Sequence, residues 1–212
     1  MEFIDATLGD YLDKNCDPEP ALLAKINRET HLTQTQAHML SGHYQGRLLA
    51  MISKLLAPSR ILEVGTYTGY ATLCLAEGLT KDGKIHTIDN NEELQDRVLA
   101  YFNESEYADR IHYHIGNAEE ILPTLSESFD LVFIDADKKN NHLYFEKSLE
   151  KMPSGGVILI DNVLWKGKVL SNESPDRQTR QIIELNEKLA ADSRVEKLML
   201  PVRDGVYLLR KK

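Results

Sequence analysis

Two apolar runs in this chain end on oxygen-bearing side chains. Leu131-Val132-Phe133-Ile134 is followed by Asp135-Ala136-Asp137-Lys138, and Val157-Ile158-Leu159-Ile160 by Asp161-Asn162. Short apolar runs closed abruptly by polar residues read as strands buried on both faces. In an open parallel α/β sheet, ligands bind in the crevice outside the carboxyl ends of the strands. If the two strands are neighbours, Asp135, Asp161 and Asn162 surround one point with hard oxygen donors. Such a set suits Mg²⁺, or Mn²⁺ or Ca²⁺, rather than zinc. Lys138, just past Asp135, stands close enough to act on whatever the metal holds. Each piece alone has a plain structural reading: Asp135 and Asp137 as caps of a helix starting near Lys138, Asp161-Asn162 as a turn. Their coincidence at two strand ends favours the site.

A second constellation lies upstream. Glu63-Val64-Gly65-Thr66-Tyr67-Thr68-Gly69-Tyr70 sits where an apolar run, Arg60 to Val64, turns into a helical pattern. Glycines there let the backbone turn tightly and approach a ligand. Asp89 closes the next strand, where a carboxylate can accept hydrogen bonds from ribose hydroxyls. The glycine spacing is not G-x-G-x-x-G, and Glu63 at the mouth would repel a pyrophosphate. The pattern therefore reads as a nucleoside site that favours a cationic ligand part, such as the sulfonium of S-adenosylmethionine. Gly116-Asn117-Ala118-Glu119 follows the third strand and would flank an adenine ring. Asn117 with Glu120 also fits a helix cap.

The elements that must position these residues alternate as βαβ units. Strands are expected at 60–64, 84–88, 111–115, 131–134, 157–160, 195–200 and 205–210, with helices over 91–101, 144–152 and about 178–191, and a loop from Lys166 to Asp176. About three helical segments fill residues 3–57, with Leu48, Leu49, Ile52, Leu55 and Leu56 as an apolar stripe. The link at 201–205 is so short that the last two strands must be antiparallel. The expected architecture is α/β, a doubly wound, seven-stranded mixed sheet finished by a C-terminal antiparallel hairpin.

The chain has 212 residues, 42% hydrophobic and 27% charged, enough for a full core in a single domain spanning 1–212. Its formal net charge of -8 gives no broad electrostatic footprint for nucleic acid or an anionic membrane. Cys16 and Cys74 have no metal-type spacing and read as free thiols of a reducing compartment. No secretory signal and no membrane span is visible, so the expected location is cytoplasmic. The seven histidines, His31, His38, His43 and His142 among them, form no triad or zinc pattern and read as surface or core.

These residues together resemble the cation-dependent, S-adenosylmethionine-dependent O-methyltransferases of the caffeoyl-CoA and catechol type. The resemblance rests on Glu63 to Tyr70, Phe133 to Lys138, Gly155-Gly156 with Asp161 to Trp165, Asp204-Gly205, and the segment Met39-Leu40-Ser41 through Gln45-Gly46. It spans roughly residues 20–212. It implies a class I methyltransferase (Rossmann-like) core over 58–212 behind N-terminal helices at 1–57, and a homodimer. It implies metal ligands at Asp135, Asp161 and Asn162, and cofactor contacts at Met39, Ser41, Glu63, Gly65, Tyr70, Ala71, Asp89, Ala118 and Asp135. It implies catalytic roles for Lys138, Asp135 and Asn162, and substrate contacts at Lys138 and Trp165. Two departures stand out: Ala71 where the family often has serine, and Asn141 where it usually has tyrosine. The N-terminal segment is shorter than in the plant members, so their substrate specificity is not carried over.

The implied reaction is an in-line displacement, mainly a task of alignment. Two vicinal aromatic hydroxyls would chelate the divalent ion, which lowers their pKa and fixes their orientation, and Lys138 would take the proton or stabilise the phenolate. The expected partner is thus a small aromatic diol, whether catechol, caffeoyl or flavonoid-like. Lys166 and Lys168 around Gly167 are placed to reach an anionic substrate tail, or form a solvated loop. Competing readings are an NAD(P)-dependent oxidoreductase, which shares Asp89 but lacks the glycine pattern, a nucleic-acid methyltransferase, against which the acidic charge argues, and a cofactor-binding module without activity.

Overall fold

The computed structural model describes residues 6–171 and 174–212. Helices α1 (Ala6–Lys14), α2 (Ala21–Thr33) and α3 (Gly42–Leu56) come first, with a 3-10 turn at Ala37–Met39. Residues 3–5 of the span expected to hold the N-terminal helices lie outside the described residues. Then follow β1 (Arg60–Val64), α4 (Tyr70–Ala76), β2 (Lys84–Asp89), α5 (Gln95–Glu104), β3 (Ile111–Ile115), α6 (Ala118–Thr124), β4 (Leu131–Ile134), α7 (Asn141–Glu150) and β5 (Val157–Asp161). The chain finishes with α8 (Arg177–Ala191), β6 (Val195–Leu200) and β7 (Val206–Lys211).

The strands form one seven-stranded sheet in the order β3-β2-β1-β4-β5-β7-β6. β1 to β5 pair in parallel; β7 pairs antiparallel with both β5 and β6. This is the expected mixed sheet with its terminal hairpin. The chain winds outward from β1 in one direction and from β4 in the other, so the switch point lies between them. β4 is buried at all four residues and β5 at all five, because helices cover both faces. One face packs Ile61, Leu131, Phe133 and Leu159 against α2, α3, α4 and α5. The other packs Leu62, Val132, Ile134 and Ile158 against α6, α7 and α8.

The strand boundaries match the sequence pattern closely; the helices differ in instructive ways. The expected 91–101 helix divides into a 3-10 turn at Glu92–Leu94 and α5, because Asn91 accepts from the Glu93 amide and starts a tighter turn. The expected 144–152 helix starts a turn earlier, at Asn141, where Asp137 accepts from the Asn140 amide. Asn117 precedes α6 but its side chain makes no capping bond. The segment read as a loop from Lys166 carries helical turns at Trp165–Leu170, broken by positive φ at Lys166 and Gly167. Within that expected loop, residues 172 and 173 lie outside the described residues.

The expected stripe on α3 needs correcting. Leu49 is buried, but Leu55 is 79% exposed and Leu56 39%. The buried face is Gln45, Gly46, Leu49, Ala50 and Ser53. Small residues face α4 because the two helices pack closely: a Cβ on Gly46 would strike Tyr70 and Cys74, and one on Gly78 would strike Ser53.

Candidate active site

The parallel register between β4 and β5 pairs Ile134 with Ile160, so the next residues, Asp135 and Asp161, leave the sheet side by side. The Asp135 amide donates to the Val64 carbonyl (2.8 Å), which extends the β1 pairing by one residue. Asn162 takes a left-handed conformation (φ 62) that Asn tolerates better than most residues. Its side chain turns back to the same point. The Lys138 ammonium donates to Asn162 Oδ1 at 2.6 Å and stands 3.4 Å from Asp135 Oδ1. Asp161 is 5% exposed; its Oδ1 accepts from the Asn162 amide (2.8 Å) and its Oδ2 from Gln45 Nε2 (2.9 Å). Asp135 and Asn162 thus share one cation, the ammonium of Lys138, and Asp161 adjoins them through the Asn162 amide.

The crevice is rich in desolvated acid. Burial pushes the Asp135 carboxyl up to about 7, with the Asp161 charge acting in the same direction and Lys138 against it. Burial also raises Asp204, again with Asp161 adding, while the hydrogen bond from the Lys166 amide opposes. Carboxylates crowded in this way gain from a bound cation. Among the described residues no group of three or more His, Cys, Asp or Glu side chains forms a cation cage. The donors at hand are two carboxylates and an amide, all hard oxygen, and they fit a divalent ion of the Mg²⁺ type completed by ligand or solvent oxygens.

The cofactor half adjoins it. Gly65 (φ +104) passes the β4 end so closely that a Cβ would collide with the Asp135 carbonyl. Glu63 lies within β1 and is fully buried, rather than standing at an open mouth. Its Oε2 accepts from Thr87 (2.6 Å) and Thr72, while Oε1 is buried with no partner. Burial lifts this carboxyl to about 8, against the two threonine hydrogen bonds. Asp89 holds the turn itself: Oδ2 accepts from the amides of Thr66 (3.0 Å) and Tyr67 (2.7 Å), and Oδ1 from that of Asn91 (2.9 Å). Ala71 is the second residue of α4 and Ala118 the first of α6, both buried in the first turn after a strand–helix loop. Tyr70 is different. Its ring is 1% exposed against α3, and its hydroxyl donates to Glu19 (2.5 Å), so only its backbone faces the turn. The unpartnered Glu63 oxygen, the Gly65 approach and the Asp89 turn fit a nucleoside cofactor with a cationic centre.

The remaining expected residues line the rim. Ser41 is 5% exposed and Met39 48%. Trp165 is half-buried, with positive φ (48) and an indole Nε1 that is buried without a partner. Lys168 reaches Asp176 (3.4 Å). Among the described residues no helix starts near Lys138, so the expected capping role of Asp135 and Asp137 does not hold: Asp137 closes the turn before α7, accepting from the Asn140 amide (3.0 Å) and from the Tyr144 hydroxyl (2.8 Å). Asn141 is 1% exposed at the start of α7.

Three residues here carry more than the sequence reading assigned. Gln45 grips Asp161. Arg203 (φ 49) donates to the carbonyls of Leu40, Ser41 and His38 (3.1 Å to the last) and ties the rim to the β6–β7 turn. Asp204 accepts from the Lys166 amide and so anchors the loop carrying Trp165. A polar Gln on the buried face of an amphipathic helix was a signal available in the sequence, and Asp204 stands in the Asp204-Gly205 motif; Arg203, exposed in the same turn, had none.

A sheet of this order, with its acid-lined crevice at the carboxyl ends of β1, β2, β4 and β5, defines a class I methyltransferase. The profile of the O-methyltransferase family matches residues 13–212. Caffeoyl-CoA O-methyltransferase 1 of Eucalyptus globulus is 37% identical over 208 residues, 92% of this chain and 82% of that protein. The tobacco (Nicotiana tabacum) caffeoyl-CoA O-methyltransferase 1 is 34% identical over 209 residues, 92% of this chain and 85% of that one. Among solved structures, the O-methyltransferase TomG of Streptomyces achromogenes, in complex with SAM and involved in tomaymycin synthesis, is 28% identical with a TM-score of 0.88, covering 97% of this chain and 96% of its own. A Bacillus cereus O-methyltransferase in complex with SAH is 30% identical, also with a TM-score of 0.88, covering 97% of each chain. The chain belongs to the O-methyltransferase family.

Proposed function

We propose that this S-adenosylmethionine-dependent O-methyltransferase methylates one hydroxyl of an aromatic ring bearing two vicinal hydroxyls, and that it uses a divalent cation held by Asp135, Asp161 and Asn162. The observation that carries the reading is the Lys138 ammonium bridging Asp135 and Asn162 beside Asp161, at two adjacent strand ends. Mg²⁺ is the ion the donor set favours, ahead of Mn²⁺ and Ca²⁺. The relatives named for caffeoyl-CoA support an aromatic small-molecule substrate. Family membership displaces the oxidoreductase reading, and the net charge of -8 argues against nucleic acid as substrate.

In this reading Glu63, Gly65, Asp89 and Ala118 hold the cofactor, with Met39 and Ser41 covering it and the backbone of Tyr70 and Ala71 closing the turn. The cation, when bound, supplies chelation of both vicinal oxygens and lowers the pKa of the hydroxyl, otherwise near the tyrosine value of about 10. Lys138 stands beside the ligand oxygens, where it takes the phenolic proton or neutralises the phenolate. Trp165 offers a flat face to the ring. Alignment of oxygen, methyl carbon and sulfur then provides most of the acceleration. A homodimer and a cytoplasmic location belong to the same reading. The exposed apolar residues Met51 and Leu55 of α3 support the first, and the unpaired thiols of Cys16 and Cys74 the second.

The test is a methylation screen over vicinal diols and their monohydroxy analogues, read by product mass, with a chelator and with Mg²⁺ added back. Methylation of diols that stops with chelator and returns with Mg²⁺ is the expected result. Full turnover in excess chelator would remove the cation from the reading, and equal turnover of monohydroxy analogues would remove the diol.

A further inference from the structure

We infer that Gln45, on helix α3 of the N-terminal segment, is a positioning residue for the cation site: it sets the rotation of the Asp161 carboxylate. This rests on the cation reading above. Gln45 lies 116 residues from Asp161 in the chain, is 0% exposed, and places Nε2 2.9 Å from Asp161 Oδ2. A carboxylate only accepts, so the amide must present its nitrogen and not its oxygen to it. The other carboxylate oxygen accepts from the Asn162 amide at 2.8 Å. Two donors, one from each side, thus leave the Asp161 carboxylate little freedom to rotate. Each oxygen keeps lone-pair capacity beyond the bond it accepts, which is what a ligand to a cation needs.

The choice of residue fits this role. A lysine or arginine at position 45 would pair with Asp161 as an ion and compete with a metal for its charge. A neutral amide orients the carboxylate and leaves its charge intact. Packing does not account for the amide: Gln45 Oε1 is buried with no partner, an arrangement that disfavours folding and that an apolar side chain of equal size would avoid. The position sits among Gly46, Leu49, Ala50 and Ser53 on the buried face of α3, where an apolar residue is expected. The helix start is itself fixed, because Arg203 holds the carbonyls of His38, Leu40 and Ser41 just before it. Hydrogen-bond partners that orient metal ligands commonly carry a factor of about 10–100 in metal affinity.

The experiment measures Mn²⁺ binding to the protein without cofactor or substrate, by the electron paramagnetic resonance signal of free Mn²⁺. Gln45→Met keeps the volume and removes the donor; Gln45→Asn keeps the amide and withdraws it by one methylene. Both variants are expected to bind Mn²⁺ about 10–100-fold more weakly than wild type, while they stay folded by circular dichroism and keep the wild-type affinity for S-adenosylhomocysteine. Mn²⁺ affinity equal to wild type in a folded variant overturns the role of Gln45 while leaving the cation site standing. No Mn²⁺ binding by wild type overturns the cation site itself, and this proposal with it. The wild-type protein gives a reading that needs no substitution: the Gln45 side-chain amide resonance is expected to shift on saturation with Mg²⁺, and an amide that does not move while Mg²⁺ binds counts against the role.

Discussion

At the scale of single residues, the chemistry concentrates on Lys138. Its ammonium touches two of the three proposed ligands, so it can serve the reacting oxygen without contacting the nucleoside half of the crevice. Lys138→Ala is expected to lower kcat roughly 10²–10⁴-fold, the usual range for a proton-transferring group. Affinity for S-adenosylhomocysteine, measured by calorimetry, should stay near wild type. Undiminished turnover would dispose of the role. Gly65 is the opposite kind of residue, needed for what it lacks. Its φ of +104 and the Asp135 carbonyl opposite leave no room for a side chain. Gly65→Ala is expected to cost about 1–3 kcal/mol of stability, the range for an L-residue forced into such a conformation. Cofactor affinity should fall as well, because any relief pushes the β1 turn away from β4; chemical denaturation and cofactor titration of the same variant check both.

At the scale of elements, β2 and β3 carry a feature that spacing alone concealed. His86 and His112 are register partners, and the ring of His86 stacks on those of His112 (4.7 Å) and His114 (5.2 Å). His86 Nδ1 lies 3.0 Å from His114 Nε2, and Glu127 stands 2.6 Å from His86 Nε2. Burial lowers His86 to about 4, with His112, His114 and Lys84 acting the same way and Glu127 against; His114 is lowered by burial and by His112. The unfolded chain therefore takes up protons below about 6.5 that the folded one refuses. Stability is full above that pH and falls as pH drops from about 6.5 toward 4. Melting temperature against pH should show this loss, and His86→Phe should flatten it; an unchanged slope in the variant would assign the loss elsewhere.

At the scale of the whole molecule, the two ends of the chain meet over the crevice. Arg203, in the turn between β6 and β7, donates to three carbonyls of the segment that carries Met39 and Ser41. Charge-assisted hydrogen bonds of this kind contribute about 1.5–3 kcal/mol. Arg203→Ala should lower the melting temperature by several degrees and weaken cofactor binding, since the rim is no longer held. Hydrogen exchange should quicken at residues 38–41 while the β4 and β5 amides remain protected. Uniform loss of protection across the sheet would mean that Arg203 supports the core and not the rim.

The strands, their parallel-then-antiparallel sense and the acidic residues at their ends could all be read before any coordinates. Buried strands must be apolar along their length, and ligands gather where they stop, so fold and site share one local signal. The cofactor turn was equally legible in outline, because a tight turn needs its glycines in order. The helix faces were harder. Leu55 and Leu56 have the spacing of a core stripe, yet α3 packs through the face that carries Gly46, Leu49, Ala50 and Ser53, and Leu55 and Leu56 turn outward. Tyr70 and Asp89 stand in the right loop, but packing sent the Tyr70 ring into the core and engaged the Asp89 carboxylate in three backbone hydrogen bonds. Gln45, Arg203 and the histidine stack reach partners distant in sequence. What the sequence determined by itself was the donor set and the sheet that presents it, since both follow from the order of residues along a strand. What only tertiary structure decided was which side chains, far apart in the chain, hold those donors in place, because that depends on how the helices and turns pack and not on any local period.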